Sequence, residues 1–351
     1  MPKTPDARFP LPQQSFTQGG VVDLLGGVVR QRPLSGEEAL AELKRIAELA
    51  QKGDLDARCR YALHLLQNPD EPRVNRRVLA LLRPTLEANH VEGLYLMGLL
   101  TLRGQGLAQD LSAGADLIER AATLGHLPSQ TLLARLYDQG LGREENPTKA
   151  LYWYRLSGAA GEGESARLAG LAYVKGRGVA ADKKLGQYWL EKAAQLGDSL
   201  AQFELSRLLK HHDKPQSEQK QGQYWLKESA LTGTLEAQFR LGLQYWSGQG
   251  DGVNLRESLR WTCRAAEGGN LLAIATLAGF FLAGNILPIN RFNAYILALY
   301  AERGGNSTAA LTRQSLEPLL SYREKRRAVH FLKTTTDSKR LIETLIPRET
   351  R

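Results

Sequence analysis

The chain has 351 residues, 42% of them hydrophobic, two cysteines and a formal net charge of +9. That apolar content over this length builds a core without disulfide or metal staples. Cys59 and Cys263 lie far apart and outside any CxxC pair, which argues against a disulfide framework or a clustered thiolate metal site.

Residues 1–35, rich in Pro, Gln and Gly, read as an extended or disordered arm. Its apolar run from Val21 to Val29 is broken by Asp23 and two glycines. It is too short for a membrane span and has no secretory cleavage pattern, so a cytoplasmic location is the default expectation.

From residue 36 onward the chain repeats itself. Gly53, Asn89, Gly125, Gly161, Gly197, Gly233, Gly269 and Gly305 follow one another at 36-residue intervals. Glycine and asparagine most easily take the left-handed conformation that ends a helix, so each position is expected to be a helix C-terminus. Other phases keep the same period. Trp153, Trp189, Trp225 and Trp261 stand eight residues before the glycine, and small residues such as Ala121, Ser157, Ala193 and Ala265 stand four before it. Beyond each glycine, small residues at the fourth and ninth positions, among them Ser129 with Ala134 and Ala237 with Gly242, form an inter-helix seam.

A Gly-x-Gly turn separates the two helices of a unit, at Gly104 and Gly106, Gly140 and Gly142, Gly176 and Gly178, and Gly248 and Gly250, with only Gly284 surviving in the sixth full repeat. Asp110, Asn146, Asp182, Asn254 and Asn290 are expected N-caps of the second helix, and Asp54, Asp198, Thr234, Asn270 and Asn306 of the first. Each unit is thus helix, glycine turn, helix, glycine cap, and one such hairpin buries its apolar face only when neighbours stack on it. Asn68-Pro69-Asp70 and His211-His212-Asp213 replace the turn in two units. From Ser321 to Arg351 there are nine Lys or Arg against four Asp or Glu, and residues 307–351 read as a basic, amphipathic helical cap.

The unit running from Leu241-Gly242-Leu243 through Gly248-Gln249-Gly250 to Ser258-Leu259-Arg260-Trp261 and Ala265-Ala266-Glu267-Gly268-Gly269 resembles the Sel1-like repeat. So does Ala169-Gly170-Leu171-Ala172-Tyr173 with Gly176-Arg177-Gly178 and Tyr188-Trp189-Leu190. The resemblance covers residues 36–306 and implies an all-α fold, a right-handed solenoid of about seven to eight tetratricopeptide-like repeats. It further implies an adaptor of assembly or signalling complexes, bacterial envelope and secretion systems among them.

Catalytic signatures are missing. Gly176-Arg177-Gly178-Val179-Ala180-Ala181 matches a dinucleotide-type string, but it follows a helix rather than a strand and recurs as the repeat turn. His211, His212 and Asp213 fall short of a closed metal site, and His90 and His126, one repeat apart, read as helix-start residues. No nucleophile elbow, zinc-protease helix or phosphate loop occurs. The expectation is a protein that is not an enzyme and has no catalytic, cofactor or metal residues.

In tetratricopeptide-like families the first helices line the concave face, so the resemblance points to Arg103, Arg135, Arg167, Lys175, Phe203, Arg207, Lys210, Phe239 and Trp246 as partner-binding residues. Basic groups interleaved with rings suit an acidic or C-terminal segment of a protein partner, with guanidinium forks for carboxylates. Trp246 stands out as the one tryptophan of five outside the repeat phase. A plainer reading, with the phenylalanines in the core and the arginines on a solvated face, stays open at this point. So does a second function, binding of nucleic acid or an acidic polysaccharide through the basic C-terminus, although nucleic acid is the less favoured partner.

Overall fold

A computed structural model describes residues 36–66, 72–210, 215–249 and 252–347, and among these every regular element is helical. The expected arm at 1–35, the replacement turns at 68–70 and 211–213, Gly250 and the last four residues lie outside the described set. The α-helices are α1 (Gly36–Gln51), α2 (Leu55–Leu65), α3 (Pro72–Glu87), α4 (Val91–Arg103), α5 (Leu111–Thr123), α6 (Leu127–Gln139), α7 (Pro147–Ala159), α8 (Gly163–Lys175) and α9 (Lys183–Gln195). They continue as α10 (Ser199–Leu209), α11 (Gln216–Leu231), α12 (Leu235–Ser247), α13 (Leu255–Glu267), α14 (Leu271–Ala283), α15 (Arg291–Arg303), α16 (Ser307–Leu316), α17 (Tyr322–Thr334) and α18 (Ser338–Leu345).

The starts of these helices follow from short polar side chains. Asp110, Asn146, Asn254 and Asn290 each accept the backbone N–H three residues on, from Ala113, Lys149, Glu257 and Asn293 at 2.9–3.1 Å. Asp54, Asp198, Asn270 and Asn306 do the same for first helices. Each such cap is worth about 1 kcal/mol. Thr234 corrects the expectation. It occupies the N-cap position of α12, but its hydroxyl makes no cap bond and is buried without a partner among the described residues; the helix starts through the backbone alone, where Thr234 O accepts Gln238 N–H at 2.9 Å.

The ends follow from the left-handed positions. Gly125, Gly161, Gly197, Gly233, Gly269 and Gly305 all have φ between 87° and 104°, and Asn89 has φ 51°. Within a repeat the turn is closed by a bond from the cap residue of the second helix to an aromatic residue's carbonyl: Asn146 to Tyr137 at 2.8 Å, Asp182 to Tyr173 at 2.9 Å, Asn254 to Tyr245 at 2.8 Å and Asn290 to Phe281 at 3.0 Å. The second glycine of the turn has a further job. At Gly142 an added Cβ would overlap the Leu111 carbonyl, and at Gly178 it would stand 2.5 Å from the Pro147 carbonyl carbon. Both contacts are with the start of the preceding repeat's second helix, so these glycines set repeat stacking as well as chain reversal.

Packing divides the chain into two units, residues 1–186 and 187–351, each with apolar clusters of its own. In the first, Leu94, Ile118, Leu133 and Leu136 are fully buried, and a Cβ on Gly98 would meet the Ile118 side chain at 2.7 Å, so the seam needs its small residues. In the second, Phe203, Leu226, Ala230, Ala237, Leu241 and Trp261 form one cluster, and a larger one reaches from Phe239 to Ile346. There α17 packs on α15, while α18 returns to α13 through Ser338 Oγ, which donates to Glu267 O at 2.7 Å. A buried glutamine recurs in phase: Gln130, Gln202 and Gln238 donate to the carbonyls of Ala122, Ala194 and Ala230 at 3.1–3.3 Å. This tie was missed in the sequence, although its spacing is visible there.

Candidate partner-binding groove

The nine basic and aromatic positions meet different fates. In the first unit, Arg135 and Arg167 both pair with Glu164, Arg167 at 3.5 Å and with its side chain largely covered. Arg103, at the end of α4, has its Nε and one terminal nitrogen buried without a hydrogen-bond partner among the described residues, and burial lowers its pKa. Lys175 is exposed at the end of α8. In the second unit, Phe203 and Phe239 are only 7% exposed and belong to the two apolar clusters. Their rings hold helices together and are not free as anchors, which corrects that part of the expectation.

The remaining three, Arg207, Lys210 and Trp246, come together. With Arg240, Gln244, Gln249 and their neighbours they line a groove of about 500 Å³ between the C-terminal halves of α10 and α12, floored by Leu226 of α11 and Leu243. Lys210 and Trp246 occupy the same phase of consecutive repeats, which is why stacking two repeats places them on one groove. Trp246 is 48% exposed, whereas Trp189 and Trp261 of the in-phase set are buried.

Arg207 pairs with Glu204 at 3.0 Å and Arg240 with Glu236 at 3.0 Å, both within their own helices and both about half exposed. Arg240 also lies over the Phe203 ring, 5.4 Å from its centroid. Lys210 has no ion pair among the described residues; its Nζ reaches only Gln249 Oε1 at 3.5 Å. Partial burial and then the charge of Arg240 lower its pKa, the mark of a cation short of a counter-charge.

Gln244 was missed from sequence, and a signal for it exists. The same phase holds Leu100, Leu136, Ala172, Leu208 and Phe280 in the other repeats from residue 91 on, all apolar. Here alone a glutamine takes the place. It is 8% exposed, lines the groove, and its Nε2 donor has no hydrogen-bond partner among the described residues. An unsatisfied buried amide costs about 1–3 kcal/mol, so an acceptor brought into the groove would be well received.

Two further constellations have the outline of catalytic triads. His90 connects Cys59 Sγ, 3.6 Å from its Nδ1, with Asp56, 3.1 Å from its Nε2. One repeat later His126 connects Ser129 Oγ at 2.8 Å with Glu92 at 3.1 Å. Both nucleophile positions are walled in, Cys59 at 1% and Ser129 at 0% exposure. Burial, reinforced by Glu92 and Asp56, pushes the Cys59 thiol up to about 12, so it is not a thiolate at neutral pH. The histidines act as helix-start residues: His90 Nδ1 accepts the Gly93 N–H at 3.4 Å, and each ring ties one repeat to a carboxylate of the repeat before. Among the described residues no cluster of His, Cys, Asp and Glu is arranged to hold a metal ion, and no helix is long and apolar enough to cross a membrane.

Paired helices, left-handed caps, a glycine-bearing turn and a groove between successive first helices define an all-helical repeat protein of the solenoid class. Four of its repeats are Sel1 repeats: the Sel1 repeat model matches residues 91–126, 127–162, 164–198 and 235–270. The unmatched stretch between the last two contains α10 and α11 and lacks the Gly-x-Gly turn. Among solved structures, a Sel1 repeat protein from Oxalobacter formigenes is similar in fold, with a TM-score of 0.61 at 21% identity over 69% of this chain and 99% of that one. A protective antigen of uropathogenic Escherichia coli with an SLR fold matches at 17% identity over 93% of this chain and 92% of that one, with a TM-score of 0.36. An immunity protein from Pseudomonas aeruginosa matches at 20% identity over 65% and 82%, with a TM-score of 0.37. No curated protein sequence matches the chain. Sel1-repeat proteins generally mediate protein–protein interactions, and the family is typically a non-enzymatic scaffold.

Proposed function

We propose that this chain is an adaptor that holds an acidic or C-terminal segment of a partner protein in the groove between α10 and α12. Gln244 carries the reading: a buried amide donor without a partner among the described residues, at a phase that is apolar in the neighbouring repeats, on the lining of a groove rimmed by cations. Arg207, Lys210 and Arg240 supply positive charge for carboxylates, Gln244 supplies a directed hydrogen bond, and the half-exposed Trp246 ring supplies an apolar anchor at the mouth. In the first unit Arg103, Arg135, Arg167 and Lys175 are basic positions of the same kind, and Glu164 already takes up two of the four charges.

The test is affinity capture of host proteins with the full chain and with the Trp246→Ala/Arg207→Ala double variant, followed by mass spectrometry and circular dichroism. A stoichiometric protein that binds the unaltered chain and is lost from an equally helical double variant supports the groove. Retention of that protein by the double variant would sink it.

A further inference from the structure

The second unit has another concavity, remote in sequence from the groove and lined by none of its residues. It lies between α15 and α17, with a volume of about 1010 Å³. That is at the upper end of the range, about 300–1,000 Å³, that encloses a compact ligand, so it has room for a small cluster of side chains. Its floor is apolar: Phe292, Phe331 and Leu345 pack against the core but stay partly uncovered. Its rim is cationic. Lys325, Arg326, Arg327 and Lys333 all line it, and none of them forms an ion pair with a described carboxylate. The one carboxylate on the lining, Glu317, is already held by Arg313 at 2.6 Å.

We infer that this concavity is a second docking site, and that its occupant is an acidic amphipathic helix of a partner protein, with Leu- or Phe-type anchors on one face and Asp or Glu beside them. Charge and shape together select that occupant. Anchors spaced at i, i+3, i+4 and i+7 drop into the apolar floor while flanking carboxylates meet the four cations, the helix-in-groove mode of recognition. A nucleic acid strand would meet the cationic rim but leave the aliphatic and aromatic floor at Phe331 and Leu345 without an apolar partner. An anionic bilayer is bound by apolar groups that protrude, and Phe292, Phe331 and Leu345 are instead half-buried against the core. A second copy would bring the same positive rim against this one, in a chain of formal charge +9.

The experiment is fluorescence anisotropy of the full chain with a labelled helical peptide of about four turns, Leu at the anchor spacing and Glu elsewhere. Expected are micromolar binding, about tenfold weakening by Lys325→Glu/Lys333→Glu, and no change on Trp246→Ala, which separates this site from the groove. Lys325→Gln/Lys333→Gln guards against misfolding by charge reversal and is expected to weaken binding by a smaller factor in the same direction. Failure of the peptide to bind overturns the inference. Equal binding of a composition-matched scrambled peptide overturns it too, as does tighter binding of an oligothymidine strand or of phosphatidylserine vesicles. So does self-association of the chain that the Lys→Glu variant abolishes.

Discussion

The two units use similar basic residues to opposite ends. In the first, guanidinium groups are spent between repeats: Arg143 bridges Asp116 and Glu119 at 2.6 and 2.7 Å, Arg177 meets Asp138 and Glu145 at 3.2 Å, and Arg135 pairs with Glu164 of the next repeat. In the second, around the groove, Arg207 and Arg240 pair only along their own helices and Lys210 has no carboxylate among the described residues. Charge that ties one repeat to the next stiffens an array. Charge left with weak, half-exposed partners costs little to redirect to a ligand. The same repeat chemistry therefore yields a stapled region and a receptive one.

The sharpest break in that comparison is at the turns. Gly142→Ala places a methyl group on the Leu111 carbonyl at a residue with φ 65°, and should lower unfolding free energy by about 3 kcal/mol or more. In the second unit Gly252→Ala, with φ 85° and open space around it, should lose only about 1–2 kcal/mol, the cost of the left-handed backbone alone. Urea midpoints of the two variants check this, and equal losses would mean that the second turn glycine is not a stacking residue.

Next in size is the ion-pair contrast. Arg143, whose side chain is 16% exposed, holds two carboxylates from the preceding repeat. Arg143→Met should cost about 1–2 kcal/mol, against about 0.5 kcal/mol or less for Arg240→Met with its exposed intrahelical pair. Differential scanning calorimetry in low and high salt reads both. A loss at Arg240 as large as that at Arg143 would erase the distinction between the units.

Gln244→Leu should move stability and binding in opposite directions. Restoring the apolar residue of the neighbouring repeats removes an unpaired amide, and should stabilise the chain by about 1 kcal/mol while weakening partner capture several-fold. Parallel loss of both would mean that Gln244 serves folding.

The smallest effect is a pH dependence at Lys210. Its pKa is lower in the folded chain than in the unfolded one, so the charged form opposes folding at pH values below the folded pKa. Stability of the free chain should therefore rise slightly as the pH climbs from that lowered value toward 10.5. Over the same window affinity for an acidic partner should fall, because the cation that meets the carboxylate is lost. Titration calorimetry in two buffers would show proton uptake on binding, and release in its place would contradict the assignment.

What the amino-acid sequence determined by itself is the repeat: its period, its left-handed ends, its asparagine and aspartate caps and its small-residue seam. These are local properties of a few adjacent residues, set by backbone sterics and by hydrogen bonds three or four positions long. Trp246 was legible for a related reason, since it breaks a pattern that the other tryptophans keep. Gln244 was equally visible in phase but shows its meaning only when buried with its amide nitrogen unpaired. Only the tertiary structure decided which basic residues are free. Arg135 and Arg143 reach carboxylates 24 to 29 residues away, across stacked helices, whereas Lys210 meets none among the described residues. It also decided that Phe203 and Phe239 are core, and that the basic C-terminal helix lines a concavity with a half-buried apolar floor. Burial and charge pairing between repeats depend on the register in which helices stack, and no short stretch of sequence contains that register.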